Sequence, residues 1–127
     1  MEENYKNTFK YNEKYDEYRA ILDDIEFTID NDPTKNEVIY ATRLVKAYND
    51  NLSNIAKFIL NDESFIEFYG NFDESELIKL LNKPTIRIIR ENEGVLSYCN
   101  HRLDDEHIIS FEFLGDFSKM AYLAIDG

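Results

Sequence analysis

The hydrophobic residues of this chain change their spacing twice, and that double switch constrains its fold more than any other feature. From Phe9 to Ile29 the apolar residues recur at every second position. Phe9 and Tyr11 alternate with polar neighbours, Tyr18, Ala20 and Leu22 share one face, and Ile25, Phe27 and Ile29 alternate with Glu26, Thr28 and Asp30. Alternation of this kind marks half-buried strands. Asn12-Glu13 and Asp23-Asp24 are turn candidates between them. The first third therefore reads as an antiparallel meander of about three strands.

The period then lengthens. Asp32-Pro33-Thr34 is a helix start, with Pro tolerated in the first turn and Thr34 spaced from Glu37 as a capping box. Val38, Ala41, Val45, Tyr48, Leu52, Ile55 and Ile59 follow at alternating steps of three and four, and Leu44, Ala56 and Phe58 widen the stripe. The spacing predicts one long amphipathic helix with a core face. Asn49 to Asn51 are weak helix formers that would bend it. Phe65, Ile66, Phe68 and Tyr69 either continue that helix or form a short second one before Gly70. Asp73, with Glu76 at the reciprocal position, caps a further helix carrying Leu77, Ile78, Leu80 and Leu81, and Pro84 blocks its continuation.

Period two returns in the last third. Ile86 and Ile88 flank Arg87, Arg90 to Gly94 reads as a turn, and Val95 to Tyr98 as the next strand. Leu103 to Phe113 is the clearest strand of all. Leu103, His107, Ile109, Phe111 and Phe113 lie on one side, and Asp104, Glu106, Ile108, Ser110 and Glu112 on the other. Met120 to Ile125 closes the fold. The expectation is a single α+β domain over residues 1–127. It has an antiparallel sheet of about six strands, with a long helix and one or two shorter helices on one face, in the order β-β-β-α-α-β-β-β-β.

Several landmarks of this order resemble a bacterial family catalogued as domain of unknown function 2262. They are the acidic helix Asp73 to Leu81, the strand Thr85 to Ile89, the segment Leu96 to Tyr98, and His107 with Ile109. The end Ala124-Ile125-Asp126-Gly127 is similar to the family's closing Ile-x-Gly, and Phe9 to Asp30 is similar to its opening hairpin and strand. The chain departs from that pattern at Cys99, Asn100, His101 and Arg102, and again at Asp105 and Glu106. The resemblance implies the fold and no chemistry, since the family has no established activity.

Charge bounds the function. The chain has 26 acidic residues against 14 basic ones, a formal net charge of −12. Phosphate backbones and anionic lipid surfaces both demand clustered cations, so nucleic acid and membrane are not expected partners. A basic protein is the natural electrostatic complement, against the plainer reading that the charge keeps the chain in solution. A 43% share of hydrophobic residues is too high for a disordered chain. One cysteine, Cys99, cannot form an intrachain bridge. Met1 to Lys10 contains no apolar signal-like stretch, and no apolar run is long enough to span a bilayer. The expected compartment is the cytoplasm.

Candidate sites are few. Cys99, His101 and His107 form a polar cluster with Asp104, Asp105 and Glu106. Metal binding needs three or four converging ligands, and two His with one Cys supply no second ligand pair, so no metal or other cofactor is expected. If Cys99 to Arg102 is a turn, His101 points to water, and His107 on an apolar face is most simply a core histidine. A Cys–His nucleophile lacks an oxyanion-hole signature nearby. Paired acids such as Asp23-Asp24, Asp62-Glu63, Asp73-Glu74 and Asp104-Asp105 suit turns and caps, where they are solvated. No enzymatic activity is expected. The better lead is aromatic residues among acids: Tyr5, Tyr11, Tyr15 and Tyr18 with Asp16 and Glu17, and the cluster Phe65, Phe68, Tyr69 and Phe72. The partner-binding candidates are Tyr11, Tyr15, Asp16, Glu17 and Tyr18.

Three functions follow as expectations. The first is a small cytoplasmic binding protein that neutralises a basic protein, in the manner of an immunity protein capping a cationic toxin. The second is a self-associating domain, a homodimer through a sheet edge or aromatic patch. The third is an anionic mimic of DNA, ranked lower because the helix from Asn36 to Asn61 is too weakly acidic to imitate a row of phosphates.

Overall fold

Two aspartates reverse the chain at its first tight hairpin. β1 (Lys10–Asn12), β2 (Glu17–Leu22) and β3 (Ile25–Ile29) form the expected meander. Asp23 and Asp24 both adopt positive φ, 52° and 63°, the two-residue turn whose twist matches antiparallel strands. The computed structural model describes residues 7–127, so Tyr5 lies outside the described residues.

Four helices follow: α1 (Lys35–Asp50), α2 (Leu52–Leu60), α3 (Glu63–Tyr69) and α4 (Glu74–Leu81). The Thr34 hydroxyl accepts from the Glu37 amide at 3.1 Å, and the Glu37 carboxylate accepts from the Thr34 amide at 2.9 Å. Asp73 and Glu76 repeat this box at α4. The long helix breaks where its weak formers predicted a bend. Asn51 leaves helical geometry (φ −110°, ψ 13°), and its side-chain amide donates to the Ala47 carbonyl at 2.8 Å, competing with the backbone ladder. The segment after Asn61 is a short separate helix capped by Asp62.

β4 (Thr85–Arg90), β5 (Glu93–Tyr98), β6 (Ile108–Leu114) and β7 (Lys119–Asp126) complete a seven-stranded sheet in strict chain order. The α+β class holds, with seven strands rather than about six. The sheet is also mixed rather than antiparallel, because β3 and β4 run parallel. The four-helix crossover between them carries the chain back to the end of the sheet where β3 began. Gly94 belongs to β5 rather than to the preceding turn. A Cβ there would lie 2.6 Å from the Phe113 ring and 2.9 Å from the Arg87 carbonyl, so the ring of the neighbouring strand fills the space a side chain would take.

One face of the sheet meets the helices. Ala20, Phe27, Ile86, Leu96 and Phe111 are successive partners across five strands, and all are buried. Leu44, Ile55, Ile59, Leu77 and Leu81 close the core from the helix side. Two tyrosines lock α1 to the sheet. Tyr48 and Tyr98 share a hydroxyl–hydroxyl bond of 2.8 Å, and Tyr40 donates to the Gly115 carbonyl at 2.6 Å. The other face carries Arg19, Thr28, Arg87, Val95 and Glu112 in one cross-strand row and, among the described residues, is free of helices. The pairing of β6 with β7 slips by one residue, so that Tyr122 and Leu123 together face Phe111.

Candidate functional site

The first hairpin leaves Tyr11, Tyr15 and Asp16 exposed, while Glu17 is buried and Tyr18 partly buried. Tyr11 donates to Asp16 at 2.7 Å, which raises its phenol pKa, and its ring lies 5.2 Å from that of Tyr18 on the helix side of the sheet. Tyr15 faces outward, but Arg19 and Lys14 already sit over its ring at 4.8 and 5.2 Å. Glu17 is buried and bonded to Arg19 at 2.8 Å, and Arg19 also reaches Glu26 at 3.4 Å. The chain's own cations therefore occupy the Glu17 carboxylate and the Tyr15 ring.

A second set of residues forms a tight hub where α3 meets the segment before β6. The Asp104 carboxylate accepts from the backbone amides of Glu106 (3.1 Å) and His107 (3.0 Å), from the Tyr69 hydroxyl (2.7 Å) and from His107 Nδ1 (2.9 Å). Burial works to raise the Asp104 pKa, but the bonds from Tyr69, His107 and Glu106 outweigh it and hold the carboxyl well below its usual range. Tyr69 moves the other way, raised by burial and by the Asp104 bond. This capture of two backbone amides bends the chain out of strand geometry. It is why the strand expected from Leu103 to Phe113 begins only at Ile108, and why His107 precedes the strand instead of lying on its apolar face.

His101 is also corrected: it is 5% exposed and does not point to water. Its Nδ1 accepts from the Leu103 amide at 3.1 Å, so its Nε2 carries the proton and donates to the His107 carbonyl at 2.7 Å. His107 packs edge-on against Phe68, with ring centroids 4.7 Å apart. Gly127 approaches the Cδ2–Nε2 edge of the ring so closely that a Cβ there would lie 2.5 Å from it. Bonded to Asp104 and packed on Phe68, the ring ties the loop to α3.

Cys99 does not join the two histidines. It lies on the helix-free side of the sheet with Thr85 and Ser97, in a shallow concavity of about 570 Å³. Burial and the nearby Glu26 raise its thiol pKa, the opposite of what a nucleophile needs. Among the described residues, no three His, Cys, Asp or Glu side chains converge to hold a metal.

The hub holds the 104–107 loop against the C-terminal end of α3. Residues 61–76 contain six carboxylates and neither Lys nor Arg. The Tyr69–Asp104 and Phe68–His107 contacts bracket Asp105 and Glu106 in the adjoining loop. Some acids elsewhere are paired: Asp116 with Arg43, Asp50 with Lys46, Glu93 with Arg90, Asp30 with Arg87. Among the described residues, no cation lies within ion-pair distance of Glu63, Glu67, Glu74, Glu76, Asp105 or Glu106. Phe68, next to Glu67 on α3, is 52% exposed. The sequence signal was present, as aromatics among acids with no cation over residues 61–76, but paired acids in caps and turns read as merely solvated.

No family model, no curated protein and no solved structure matches this chain. The resemblance to domain of unknown function 2262 thus rests on its own residues. Among the described residues, no helix is long and apolar enough to cross a membrane.

Proposed function

We propose that this chain is a non-enzymatic, cytoplasmic protein-binding domain that neutralises a basic protein, an immunity-type inhibitor of a cationic toxin being the concrete form. The observation that carries the reading is the cation-free acidic stretch of residues 61–76, with Glu67 adjoining exposed Phe68 on α3. A rim of unpaired carboxylates around an aromatic anchor steers a cationic partner and gives it an apolar contact on arrival. Several acids of the sheet pair with the chain's own cations, Glu17 and Glu26 with Arg19 and Glu93 with Arg90, whereas those of α3 have no such partner among the described residues. The His107–Asp104–Tyr69 hub supports it by fixing the loop against α3.

The test is capture from native lysate with tagged protein at low and high salt, using wild type, Glu63→Lys/Glu67→Lys and Tyr15→Ala. One basic protein should be held by wild type and by the Tyr15 variant, released at high salt, and absent from the α3 variant. The bound complex should then be challenged with duplex DNA. Competition would redirect the reading to a DNA mimic. A neutral partner retained by the α3 variant at any salt would overturn it.

A further inference from the structure

The two edges of the sheet are guarded very differently. β1 is three residues long and is followed at once by the charged turn from Glu13 to Asp16. β7, at the opposite edge, runs eight residues, and Met120–Ile125 contains neither charge nor proline. Long uncharged edges template strand pairing, and proteins ordinarily shorten, charge or cover them. Between α3 and β7 lies a groove of about 530 Å³, lined by Glu67 and Phe68 of α3 and the consecutive residues Leu123 to Asp126. Tyr122 projects from this edge, 78% exposed and at φ 59°, a backbone region unusual for an aromatic residue.

The strand is complementary to itself. Laid antiparallel on a second copy with Ala121 opposite Ala124, it sets Lys119 opposite Asp126, Met120 opposite Ile125 and Tyr122 opposite Leu123. Directly opposed residues in an antiparallel pair share a face. In a regular strand this register would fail, because Ala121 and Ala124 would point to opposite sides. The slip at Tyr122 removes that conflict. Ala121 pairs with Glu112 and Ala124 with Ser110, both on the helix-free face, while Met120, Leu123 and Ile125 pack toward the core. A shift of one residue would oppose core-facing Met120 to outward Ala124.

We propose that two copies of this chain join edge to edge through β7 about a twofold axis, Lys119 of each copy meeting Asp126 of the other. This goes beyond the proposed neutralisation of a basic protein and does not depend on it. The salt response separates the two. Each copy carries a formal charge of −12, so self-association should tighten as salt screens the mutual repulsion, whereas a basic partner should be released.

The test is sedimentation velocity over a wide concentration range at low and high salt, on wild type, Lys119→Asp, Asp126→Lys and an equimolar mixture of the two variants. Wild type should dimerise more tightly at high salt. Each variant alone places like charges opposite one another twice and should dimerise about tenfold more weakly. In the mixture every opposed pair is again of opposite sign, so heterodimers should form at wild-type strength, which also shows that both variants are folded. Hydrogen exchange should slow at the Met120–Ile125 amides as concentration rises. A wild type that stays monomeric at both salts would overturn the proposal. So would dimers unaffected by the charge exchange, or protection of β7 only on adding another protein.

Discussion

Tyr48 and Tyr98 each reach the core with a hydroxyl that only the other can satisfy, which couples the first helix to the fifth strand through one bond. Burial raises the Tyr48 pKa to about 12 and that of Tyr98 well above its ordinary value. Both native values exceed the unfolded value of about 10. The stability this contributes is therefore fully present below pH about 10 and is lost as pH rises from there through 12, because the unfolded chain releases those protons first. Denaturant midpoints should fall across that window, and Tyr48→Phe/Tyr98→Phe should flatten the fall. Tyr98→Phe alone leaves Tyr48 buried without its partner and should cost about 1–3 kcal/mol near neutral pH. Native tyrosines that all ionise together near pH 10 would contradict this. Asp104 works at the opposite end of the scale. Its carboxyl is held below the unfolded value, so its contribution is present above pH about 4 and is lost as pH falls below it. Asp104→Asn exchanges an acceptor for a donor facing His107 or Tyr69. It should lower the thermal midpoint at neutral pH, with the gap to wild type closing below pH 4. A constant gap would mean that Asp104 acts by shape alone. None of this was visible in sequence, where Asp104 read as a strand residue and His101 as a turn residue facing water.

The elements were far more legible, because their signals are local. The Thr34–Glu37 and Asp73–Glu76 boxes form as spacing predicted, since a cap needs only residues three apart. Thr34→Ala should therefore destabilise the fold by about 1 kcal/mol, read as a drop in urea midpoint without a change in slope. A loss near zero would show that tertiary packing alone holds the start of α1. The Asp23-Asp24 turn was likewise readable, because few residues accept two successive positive φ values. The break at Asn51 was anticipated as a bend and is a full interruption, since the Asn51 side chain takes up the Ala47 carbonyl. The parallel β3–β4 pair was missed. Alternation reveals that a strand has a buried face and says nothing of its neighbour's direction, which the length of the crossover decides.

Across the whole molecule, charge and fold meet on the α3 face. Glu63 and Glu67 stand one helical turn apart with no cation within ion-pair distance among the described residues, and like charges at that spacing oppose the helix. Glu63→Gln/Glu67→Gln should raise the melting temperature at low salt, lose that advantage at high salt, and weaken capture of the basic partner. Such a trade of stability for binding is what a functional surface shows. An unchanged melting temperature would mean these carboxylates are already screened. The chain's amino-acid order by itself determined the acid excess, the α+β class, the caps, the first hairpin and the inward stripe of α1 and α2, because each depends on residue type and on neighbours a few positions away. Only the tertiary structure decided which carboxylates remain unmatched and share a face. That depends on contacts such as Tyr69 with Asp104, 35 residues apart, and on cations such as Arg43 being drawn to acids 73 residues distant. Charge acts through space, and its arrangement exists only once the core has fixed where each surface residue stands.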